Sequence, residues 1–484
     1  MKLGEILSGI DILESTAGMD TDISGISYDS RRTGPGELFV AVAGFESDGH
    51  RYIPMALEKG AAAVLCQSAP EGGVPFVRVA DTRLALALCS KNFFGDPAGR
   101  MTMVGVTGTN GKTTSTLLIK HVLESCLGAK VGLIGTTGNM IGDELLPSER
   151  TTPESFELQK LLREMADVGC GYVVMEVSSH ALALSRVAGI EYEVCIFTNL
   201  TQDHLDFHGG MEQYAEAKAR LFRQTRRAAL NLDDEYFGFM RNSARCPCST
   251  FSAESDAGDL VARDIKLFPD RVKFCAVMLG EIARVELAIP GRFSVYNALG
   301  VIAGCMALGV PLAGCAGALS SARGVKGRVE SVPTDGDYTV LIDYAHTPDA
   351  LENVLRAVRE TSGGRVVALF GCGGDRDRKK RPIMGDIGTS RSDFAIITSD
   401  NPRTEDPDAI IADIVSGIRV KKSRYKVISD RVKAIEWAIE NHKSGDVIVL
   451  AGKGHETYQE INHVKHHMDE REIVAEIMER RKNK

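Results

Sequence analysis

The sequence lacks the features that mark membrane, secreted and nucleic-acid-binding proteins. None of its apolar runs approaches the ~20 residues that a membrane span needs. Residues 1–15 carry acidic side chains through their apolar part and contain no small-residue cleavage site, so they do not resemble a signal peptide. The eleven cysteines follow no disulfide-framework spacing, and a formal net charge of −8 gives no reason to expect a nucleic-acid or anionic-membrane partner. We therefore expect a cytoplasmic protein with reduced thiols.

What the sequence does contain is an alternation of strand and helix patterns in three blocks, and 484 residues suffice for about three domains. The first block has apolar strand and helix patterns at 37–44, 61–66, 75–80 and 82–94. The second has strand patterns at 101–106, 130–134, 172–177, 194–199 and 228–231. The third follows a break near 332–336, with strand patterns at 339–344, 365–370, 394–398 and 447–451. Because buried parallel strands read as continuous apolar runs between helices, we predict an α/β fold with domains at 1–98, 99–332 and 333–484.

Residues 105–114 read GVTGTNGKTT and stand between a strand pattern and a helix pattern. Glycines allow backbone N–H groups to converge on phosphate oxygens, and a helix N-terminus favours negative charge. Lys112 would supply a mobile cation for the β- and γ-phosphates, and Thr113 a hydroxyl for Mg²⁺. Val106 stands where the strict GxxxxGK(S/T) pattern has its first glycine. By itself the loop predicts ATP binding and leaves kinase, ATPase and ligase open.

Eight segments follow one another in the order typical of the Mur ligase family, and together they resemble that family nearly end to end. They are TGTNGKTT (107–114), ERTTPES (149–155), MEVSSHAL (175–182), TNLTQDHLDFHG (198–209), AKARLF (217–222), GRFSVYNAL (291–299), GVKGRVE (324–330) and DYAHTPDAL (343–351). The resemblance implies an ATP- and Mg²⁺-dependent acid–amino-acid ligase that forms ADP and phosphate. It also implies an N-terminal uridine-nucleotide-binding α/β domain, a central P-loop ATPase domain and a C-terminal Rossmann-like domain, acting as a monomer on small-molecule substrates.

Three further segments resemble the members of the family that add meso-diaminopimelate: FGCGGDRDRKKRP (370–382), SDNPRTEDP (399–407) and GKGHETYQ (452–459). They imply addition of this amino acid to the D-glutamate of UDP-N-acetylmuramoyl-L-alanyl-D-glutamate through an acyl phosphate, in peptidoglycan precursor synthesis. The implied amino-acid-binding positions are Arg376, Asp400, Asn401, Pro402, Arg403, Gly452 and Glu456. Meso-diaminopimelate differs from lysine by a distal carboxylate, which Arg403 can clamp bidentately. We expect lysine to leave Arg403 buried without its partner, the distal carboxylate, and we interpret 379–381 as a solvated charge run.

The resemblance also assigns positions to ATP and to the metal. The implied ATP contacts are Gly108, Thr109, Asn110, Gly111, Lys112, Thr113, Thr114, Asn297, Arg328, Asp343 and His346. Lys112, Glu176, His204 and Lys218 are implied to be catalytic, and the last three, with Thr113, to hold Mg²⁺. Taken alone, Lys218 fits an ordinary surface lysine of a helix. By resemblance it is the lysine that carries CO₂ as a carbamate.

The uridine-linked substrate is expected on the first domain and at the start of the second. The implied contacts are Tyr28, Ser30, Phe45, Glu46, Ser47, Thr151, Thr152, Ser178 and Arg186. One departure concerns Leu184, which stands where some relatives have a glutamine that contacts this substrate.

The sequence leaves several alternatives to this ligase function open. A ligase of the folylpolyglutamate synthetase type shares the ATP loop, but those chains begin near that loop, whereas about a hundred residues precede it here. A lysine-adding ligase would differ at Arg403. A non-catalytic ATP-binding protein and a simple kinase are the alternatives from other classes.

Overall fold

The computed structural model describes residues 1–44, 47–148, 150–322, 325–421 and 424–482, and of Asp206 and Lys482 it describes the backbone alone. The chain forms two compact units. The first consists of Met1–Leu260 with Gly300–Pro311, and the second of Val261–Leu299 and the residues from Leu312 onward. Among the described residues, no helix is both long enough and apolar enough to cross a membrane.

The first unit begins with a five-stranded sheet in the order β1-β5-β4-β3-β2. Its strands are β1 (Ile12–Ser15), β2 (Ile26–Ser27), β3 (Leu38–Val40), β4 (Ala63–Cys66) and β5 (Phe76–Val79), and its helices are α1 (Leu3–Ile6), α2 (Ile53–Glu58) and α3 (Thr82–Phe93). The strands pair in parallel except for β1 with β5. Asp81 caps α3 by accepting hydrogen bonds from two backbone N–H groups of its first turn.

A second sheet of the first unit carries the glycine-rich loop, with strands in the order β13-β12-β11-β6-β10-β7-β8-β9. The strands are β6 (Thr102–Thr107), β7 (Val131–Ile134), β8 (Asn139–Ile141), β9 (Glu144–Leu146), β10 (Tyr172–Glu176), β11 (Val194–Phe197), β12 (Ala228–Asn231) and β13 (Cys248–Ser252). The helices are α4 (Lys112–Leu127), α5 (Ser155–Asp167), α6 (Ser179–Ala183), α7 (Leu205–His208), α8 (Met211–Ala219) and α9 (Phe237–Ser243). Because β10 and β11 flank β6 in parallel, the carboxyl ends of all three strands lie at one sheet edge.

The second unit starts with three strands, β14 (Leu260–Leu267), β15 (Val272–Met278) and β16 (Glu281–Leu287). Strands β15 and β16 pair from Val272 with Leu287 to Met278 with Glu281. Two helices follow, α10 (Arg292–Ala307), whose second half belongs to the first unit, and α11 (Leu312–Ser321).

The remainder of the second unit is a six-stranded sheet in the order β17-β18-β22-β19-β20-β21. Its strands are β17 (Glu330–Val332), β18 (Thr339–Asp343), β19 (Val366–Phe370), β20 (Phe394–Ile397), β21 (Tyr425–Val427) and β22 (Val447–Ala451), followed by the hairpin β23 (Tyr458–Ile461) and β24 (Val464–His467). The helices are α12 (Pro348–Thr361), α13 (Lys380–Ser390), α14 (Pro407–Ser416), α15 (Arg431–Glu440) and α16 (Glu470–Lys482). Alternate residues of β22 belong to two separate apolar clusters, so both faces of this sheet are covered.

The predicted α/β class is confirmed, and each predicted strand overlaps an observed one. Short exposed elements were not predicted, among them β8, β9, β21 and the β23–β24 hairpin. None of the eleven cysteines, all of which lie in the described part of the chain, forms a disulfide bond. Strand β17 pairs antiparallel with β18, so the six-stranded sheet begins at Glu330.

Candidate active site

The glycine-rich loop connects β6 to α4 in a conformation that two glycines make possible. Gly108 has φ +150°, and a Cβ atom there would lie 1.9 Å from Thr198 Oγ1. Gly111, with φ +84°, precedes the first residue of α4, Lys112. The first-turn amides of α4 have no partners within the helix, so they can bind an anion.

The loop is held by residues that follow β11. The backbone oxygen of Asn199 accepts a hydrogen bond from Thr109 N, and its Oδ1 accepts one from Asn110 N, both at 2.9 Å. Thr198 Oγ1 donates to Asn110 O at 2.6 Å. Lys112 Nζ donates to the carbonyls of Gly108 and Thr109, at 2.8 Å each. Two loop amides are therefore bonded to Asn199, which leaves the first turn of α4 to face a phosphate.

Glu176 ends β10 beside the start of this loop, with Val106 as its partner in the parallel register. The carboxylate is 1% exposed, and it accepts hydrogen bonds from Thr136 N at 2.9 Å and from Thr136 Oγ1 at 3.1 Å. The same Oγ1 lies 3.0 Å from Thr151 Oγ1. Thr136 thus links a predicted metal ligand to a predicted substrate contact, and sequence reasoning missed it because it follows a short strand without a motif of its own.

Lys218 is not the exposed lysine that a helix pattern alone suggests. Its side chain is 1% exposed, Nζ donates to Gly108 O at 2.7 Å, and Nζ lies 4.6 Å from the centroid of the Tyr214 ring. Burial lowers the pKa of the Lys218 ammonium well below its usual 10.5, and the charge of Lys112 lowers it further. The structure therefore brings Lys218 to the phosphate loop with its amine poised to lose a proton.

His204 lies in a cluster of aromatic side chains next to this lysine. It has φ +52°, and its Nε2 is 3.3 Å from Asp203 Oδ2. Its ring centroid is 4.7 Å from that of His180 and 6.4 Å from that of Tyr214. His208, which bonds Ser179 Oγ at 2.9 Å, completes the group, and neither His180 nor His208 was singled out from the sequence.

The implied Mg²⁺ would be held at this loop together with a nucleotide. Among the described residues, no group of three or more His, Cys, Asp or Glu side chains is arranged to hold a metal ion. Mg²⁺ bound with a nucleotide needs fewer protein ligands, because it keeps waters and takes phosphate oxygens beside one or two carboxylates. Glu176 offers one such carboxylate and Thr113 a hydroxyl at the loop, so the donor chemistry fits a magnesium ion that arrives with phosphates.

Several predicted contacts of the uridine-linked substrate come together around Thr152. This residue is 1% exposed, and its Oγ1 donates to Glu176 O at 2.8 Å and accepts from Ser178 N at 3.1 Å. Arg186 donates to Thr152 O at 3.2 Å and to Glu154 Oε2 at 3.1 Å. Thr151, Thr152, Ser178 and Arg186 therefore form one cluster with Glu176, and Leu184 ends α6 within the same segment.

The remaining predicted substrate contacts lie in the first sheet region. The Tyr28 hydroxyl donates to both carboxylate oxygens of Glu157 on α5, at 2.8 Å each, and burial and that carboxylate raise its pKa. Ser30 is buried and donates to Met55 Sδ at 3.4 Å, and Ser47 Oγ lies 3.4 Å from Tyr52 OH. Phe45 and Glu46 lie outside the described residues.

In the second unit, three of the four predicted nucleotide contacts surround Tyr344. Asp343 accepts hydrogen bonds from the N–H groups of Val329 and Ala345 at 2.8 Å, and burial raises its pKa despite those bonds. The Arg328 guanidinium lies 5.4 Å from the centroid of the Tyr344 ring, and His346 Nδ1 is 2.8 Å from Tyr344 O. The fourth, Asn297, is buried on α10.

The predicted amino-acid site gathers two arginines at Gly373. A Cβ atom on that glycine would lie 3.0 Å from Arg403 Nη1 and 3.9 Å from Arg376 Cγ. The neighbouring Gly374 permits an equally close approach, since a Cβ atom there would lie 1.9 Å from Pro402 O. Arg403 itself adopts φ +51°.

Asn401, two residues before Arg403, forms a triangle of hydrogen bonds with Lys453 and Glu456. Glu456 Oε2 accepts from Asn401 Nδ2 at 2.9 Å and from Lys453 Nζ at 2.7 Å, and Lys453 also donates to Asn401 Oδ1 at 2.7 Å. Lys453 is fully buried. Asp400 Oδ2 is buried with no hydrogen-bond partner among the described residues, 2.5 Å from where a Cβ atom on Gly452 would stand. Lys453 was missed from the sequence because its motif reads as a glycine-rich loop.

One expectation about this site is wrong and another stays a prediction. Arg403 Nε donates to Glu460 Oε2 at 3.1 Å and Nη1 to Gly374 O at 2.7 Å, and the loss of its carboxylate partner with lysine as substrate stays a prediction. Arg381 does not belong to a solvated charge run: it is 1% exposed and binds both carboxylate oxygens of Glu405, at 2.7 and 3.1 Å. The charged sequence around it concealed a buried ion pair.

Comparisons with known proteins agree with this architecture. The family model described as the Mur ligase middle domain matches residues 106–305, that of the Mur ligase glutamate ligase domain matches 327–454, and that of the Mur ligase family catalytic domain matches 22–93. The chain therefore belongs to the Mur ligase family, and it is an ATP-dependent ligase.

Relatives and a solved structure match the chain over its length. The UDP-N-acetylmuramoyl-L-alanyl-D-glutamate--2,6-diaminopimelate ligase of Clostridioides difficile (strain 630) is 46% identical over 483 residues, 99% of each chain. The ligase of the same name from Caldanaerobacter subterraneus subsp. tengcongensis is also 46% identical, over 481 residues and 99% of each chain. A solved structure of a ligase with this name superposes with a TM-score of 0.75 at 34% identity, covering 100% of this chain and 99% of the other.

Proposed function

We propose that the chain uses ATP to add meso-diaminopimelate to the D-glutamate carboxylate of UDP-N-acetylmuramoyl-L-alanyl-D-glutamate, in peptidoglycan precursor synthesis. One observation carries the proposal: Arg376 and Arg403 meet at Gly373, while the carboxylate of Glu456 is bound to nearby Asn401. The far end of meso-diaminopimelate bears a carboxylate and an ammonium, for which guanidinium and carboxylate groups are the complements. The full-length relatives named for this reaction support the same assignment.

The reaction proceeds in two steps. A D-glutamate carboxylate oxygen attacks the γ-phosphorus of ATP, the bond to the β-γ bridging oxygen breaks, and an acyl phosphate and ADP form. The unprotonated amine then attacks the acyl carbon, the amine loses a proton, and phosphate leaves from the tetrahedral intermediate. Such catalysis consists mainly of positioning and of neutralising phosphate charge.

The central residues divide these tasks. Lys112 and the first-turn amides of α4 hold the phosphates, together with Gly108–Thr114. Glu176, Thr113, His204 and a carbamylated Lys218 would hold Mg²⁺, which supplies charge neutralisation when bound. The lowered pKa of Lys218 supports its carbamylation, because the neutral amine is the form that reacts with CO₂.

The other predicted residues bind substrates. Asn297, Arg328, Asp343 and His346 complete the ATP contacts, and Tyr28, Ser30, Phe45, Glu46, Ser47, Thr151, Thr152, Ser178 and Arg186 bind the uridine-linked dipeptide. In the amino-acid site, Arg376 and Arg403 take the distal carboxylate. The carboxylate of Glu456 and the backbone carbonyl of Gly452 take the ammonium group, and Asp400, Asn401 and Pro402 shape the loops. We further propose a cytoplasmic monomer with domains at 1–98, 99–332 and 333–484.

The test is phosphate release from ATP by the purified protein with Mg²⁺ and the UDP-linked dipeptide, with meso-diaminopimelate and L-lysine offered in parallel. Release that depends on meso-diaminopimelate and exceeds release with lysine at least about tenfold in kcat/KM is expected. Equal or better use of lysine would contradict the proposed substrate. Release with neither amino acid would contradict the proposed reaction.

A further inference from the structure

The β23–β24 hairpin fixes the backbone of Arg403. Arg403 N donates to Glu460 O at 3.0 Å, and Asn462 N donates to Arg403 O at 2.8 Å, so the residue pairs with the edge of the hairpin. These bonds hold it at φ +51°, a left-handed conformation that side chains rarely adopt. The hairpin therefore determines where the Arg403 side chain leaves the loop.

The hairpin also fixes the guanidinium. Its Nε–H donates to Glu460 Oε2 at 3.1 Å, and one Nη1–H donates to Gly374 O at 2.7 Å. A guanidinium has five N–H groups in one plane. Three N–H groups remain, one on Nη1 and two on Nη2, and one N–H from each of these nitrogens can point along the end of the fork. This end can bind a carboxylate through two parallel hydrogen bonds.

We propose that Glu460 is a positioning residue for the amino-acid substrate: it turns the Nη1–Nη2 end of Arg403 toward the distal carboxylate of meso-diaminopimelate. This inference rests on the proposed function and names a residue that acts through Arg403. The orientation comes from the place of one carboxylate oxygen, Glu460 Oε2. The negative charge of Glu460 works against the incoming carboxylate, because like charges repel.

Position and charge can be separated by two conservative changes. Glu460→Gln keeps an oxygen acceptor at the same distance along the side chain and removes the charge. Glu460→Asp keeps the charge and withdraws the oxygen by about 1.5 Å, the length of one C–C bond. Arg403 and Glu460 are 20% and 21% exposed, so solvent screens the charge only in part, and Glu460→Gln measures the effect of the charge that remains.

The experiment measures KM for meso-diaminopimelate, ATP and the UDP-linked dipeptide in the wild type and in the Glu460→Gln, Glu460→Asp and Arg403→Met variants. Glu460→Asp should raise KM for meso-diaminopimelate about tenfold, with the other two KM values within about twofold of the wild type. Glu460→Gln should leave KM for meso-diaminopimelate unchanged or lower it. The double variant that carries Arg403→Met and Glu460→Asp should have the same KM for meso-diaminopimelate as Arg403→Met alone, because the effect of Glu460 passes through Arg403.

Glu472→Gln is the matched control. Glu472 lies just beyond the hairpin, pairs with His467 at 2.6 Å, and is 59% exposed, so its change should move none of the three KM values. The proposal is overturned if Glu460→Asp leaves KM for meso-diaminopimelate within about twofold of the wild type, or if all three KM values rise together. It is also overturned if Glu460→Gln raises that KM as much as Glu460→Asp does. A wild type that does not use meso-diaminopimelate would instead refute the proposed function, so the two failures are distinct.

Discussion

Lys218 shows how a single reactive side chain can lower the stability of the domain that holds it. Its ammonium is buried, and burial lowers its pKa well below 10.5. Between the lowered pKa and 10.5 the folded protein binds fewer protons at this residue than the unfolded chain does. This contribution to the free energy of unfolding therefore rises with pH across that window.

We expect Lys218→Met to be inactive yet more stable than the wild type at pH 7 in CO₂-free buffer. Methionine removes the desolvation penalty, and Tm should rise by roughly 2–4 °C for each kcal/mol recovered. The gain should shrink as the pH approaches 10.5, and thermal unfolding followed by circular dichroism from pH 7 to 10 measures it. A variant less stable than the wild type at pH 7 would mean that the bond to Gly108 O outweighs the penalty.

Arg381 stabilises the second unit through Glu405. Hydrogen bonding to Arg381 is the largest of the effects that lower the pKa of Glu405 from 4.5 to about 2. The resulting stability is present above pH 4.5 and is lost as the pH falls toward 2.

Arg381→Met should lower the free energy of unfolding by about 2 kcal/mol at pH 7, since it removes the main partner of the Glu405 carboxylate, which is 14% exposed. The difference from the wild type should diminish below pH 4.5, as Glu405 becomes protonated in the variant and in the unfolded chain. Urea unfolding between pH 3 and 7 measures this. Arg378→Gln is the control, because Arg378 binds the same carboxylate but is 70% exposed, and a loss below about 1 kcal/mol is expected. Equal losses for the two variants would contradict the role of burial.

At the scale of residues, the sequence names candidate positions of the site but says little about their surroundings. Motif positions such as Glu176, Lys218 and Arg403 could be named from the sequence. The burial of Lys218 could not, because its helix has no strong apolar face, and neither could the pairing of Arg403 with Glu460, which lies 57 residues away along the chain. Partners that are distant in sequence and lack a motif leave no local pattern to read.

At the scale of elements, the β6–loop–α4 unit depends on the absence of a side chain at Gly108. We expect Gly108→Ala to lower kcat/KM for ATP by about 100-fold, because its Cβ would displace the loop from Thr198 and Asn199. Steady-state kinetics and nucleotide titration measure this loss. Gly128, with φ +60° at the other end of α4, has no atom within 4 Å of its Cβ position. Gly128→Ala should therefore cost about 1 kcal/mol of stability and leave KM for ATP unchanged. Normal ATP use by Gly108→Ala would show that the loop tolerates a shift.

The elements that the sequence predicted share one physical property. Strands such as β12 and β22 are buried on both faces and are therefore apolar throughout, and their observed bounds agree with the predicted ones. The β23–β24 hairpin is half-buried to exposed, mixes charges with apolar residues, and turns at Asn462 and His463 without a glycine. Its role in holding Arg403 follows from pairing across the fold, which no local pattern reports.

At the scale of the whole molecule, the two units can be tested separately. Tyr28 ties the first sheet to α5 within the first unit, through its two hydrogen bonds to Glu157. Tyr28→Phe should destabilise this unit by about 1 kcal/mol, which is the net value of a typical hydrogen bond. Hydrogen exchange followed by mass spectrometry should show faster exchange in peptides from the first sheet. Peptides from the second unit should exchange at the wild-type rate. The control is Tyr52→Phe, since that ring is 41% exposed. Faster exchange in both units would contradict their independence.

The way in which Asn199 holds the phosphate loop has a consequence for how fast nucleotide arrives. Two loop amides and the Asn110 carbonyl are fixed by residues that follow β11, so the loop needs no folding step to bind ATP. The rate at which ATP associates with a loop that is already in its binding conformation is limited by diffusional encounter and orientation. Its observed rate should therefore rise linearly with nucleotide concentration, without the plateau that a slow rearrangement of the loop would impose.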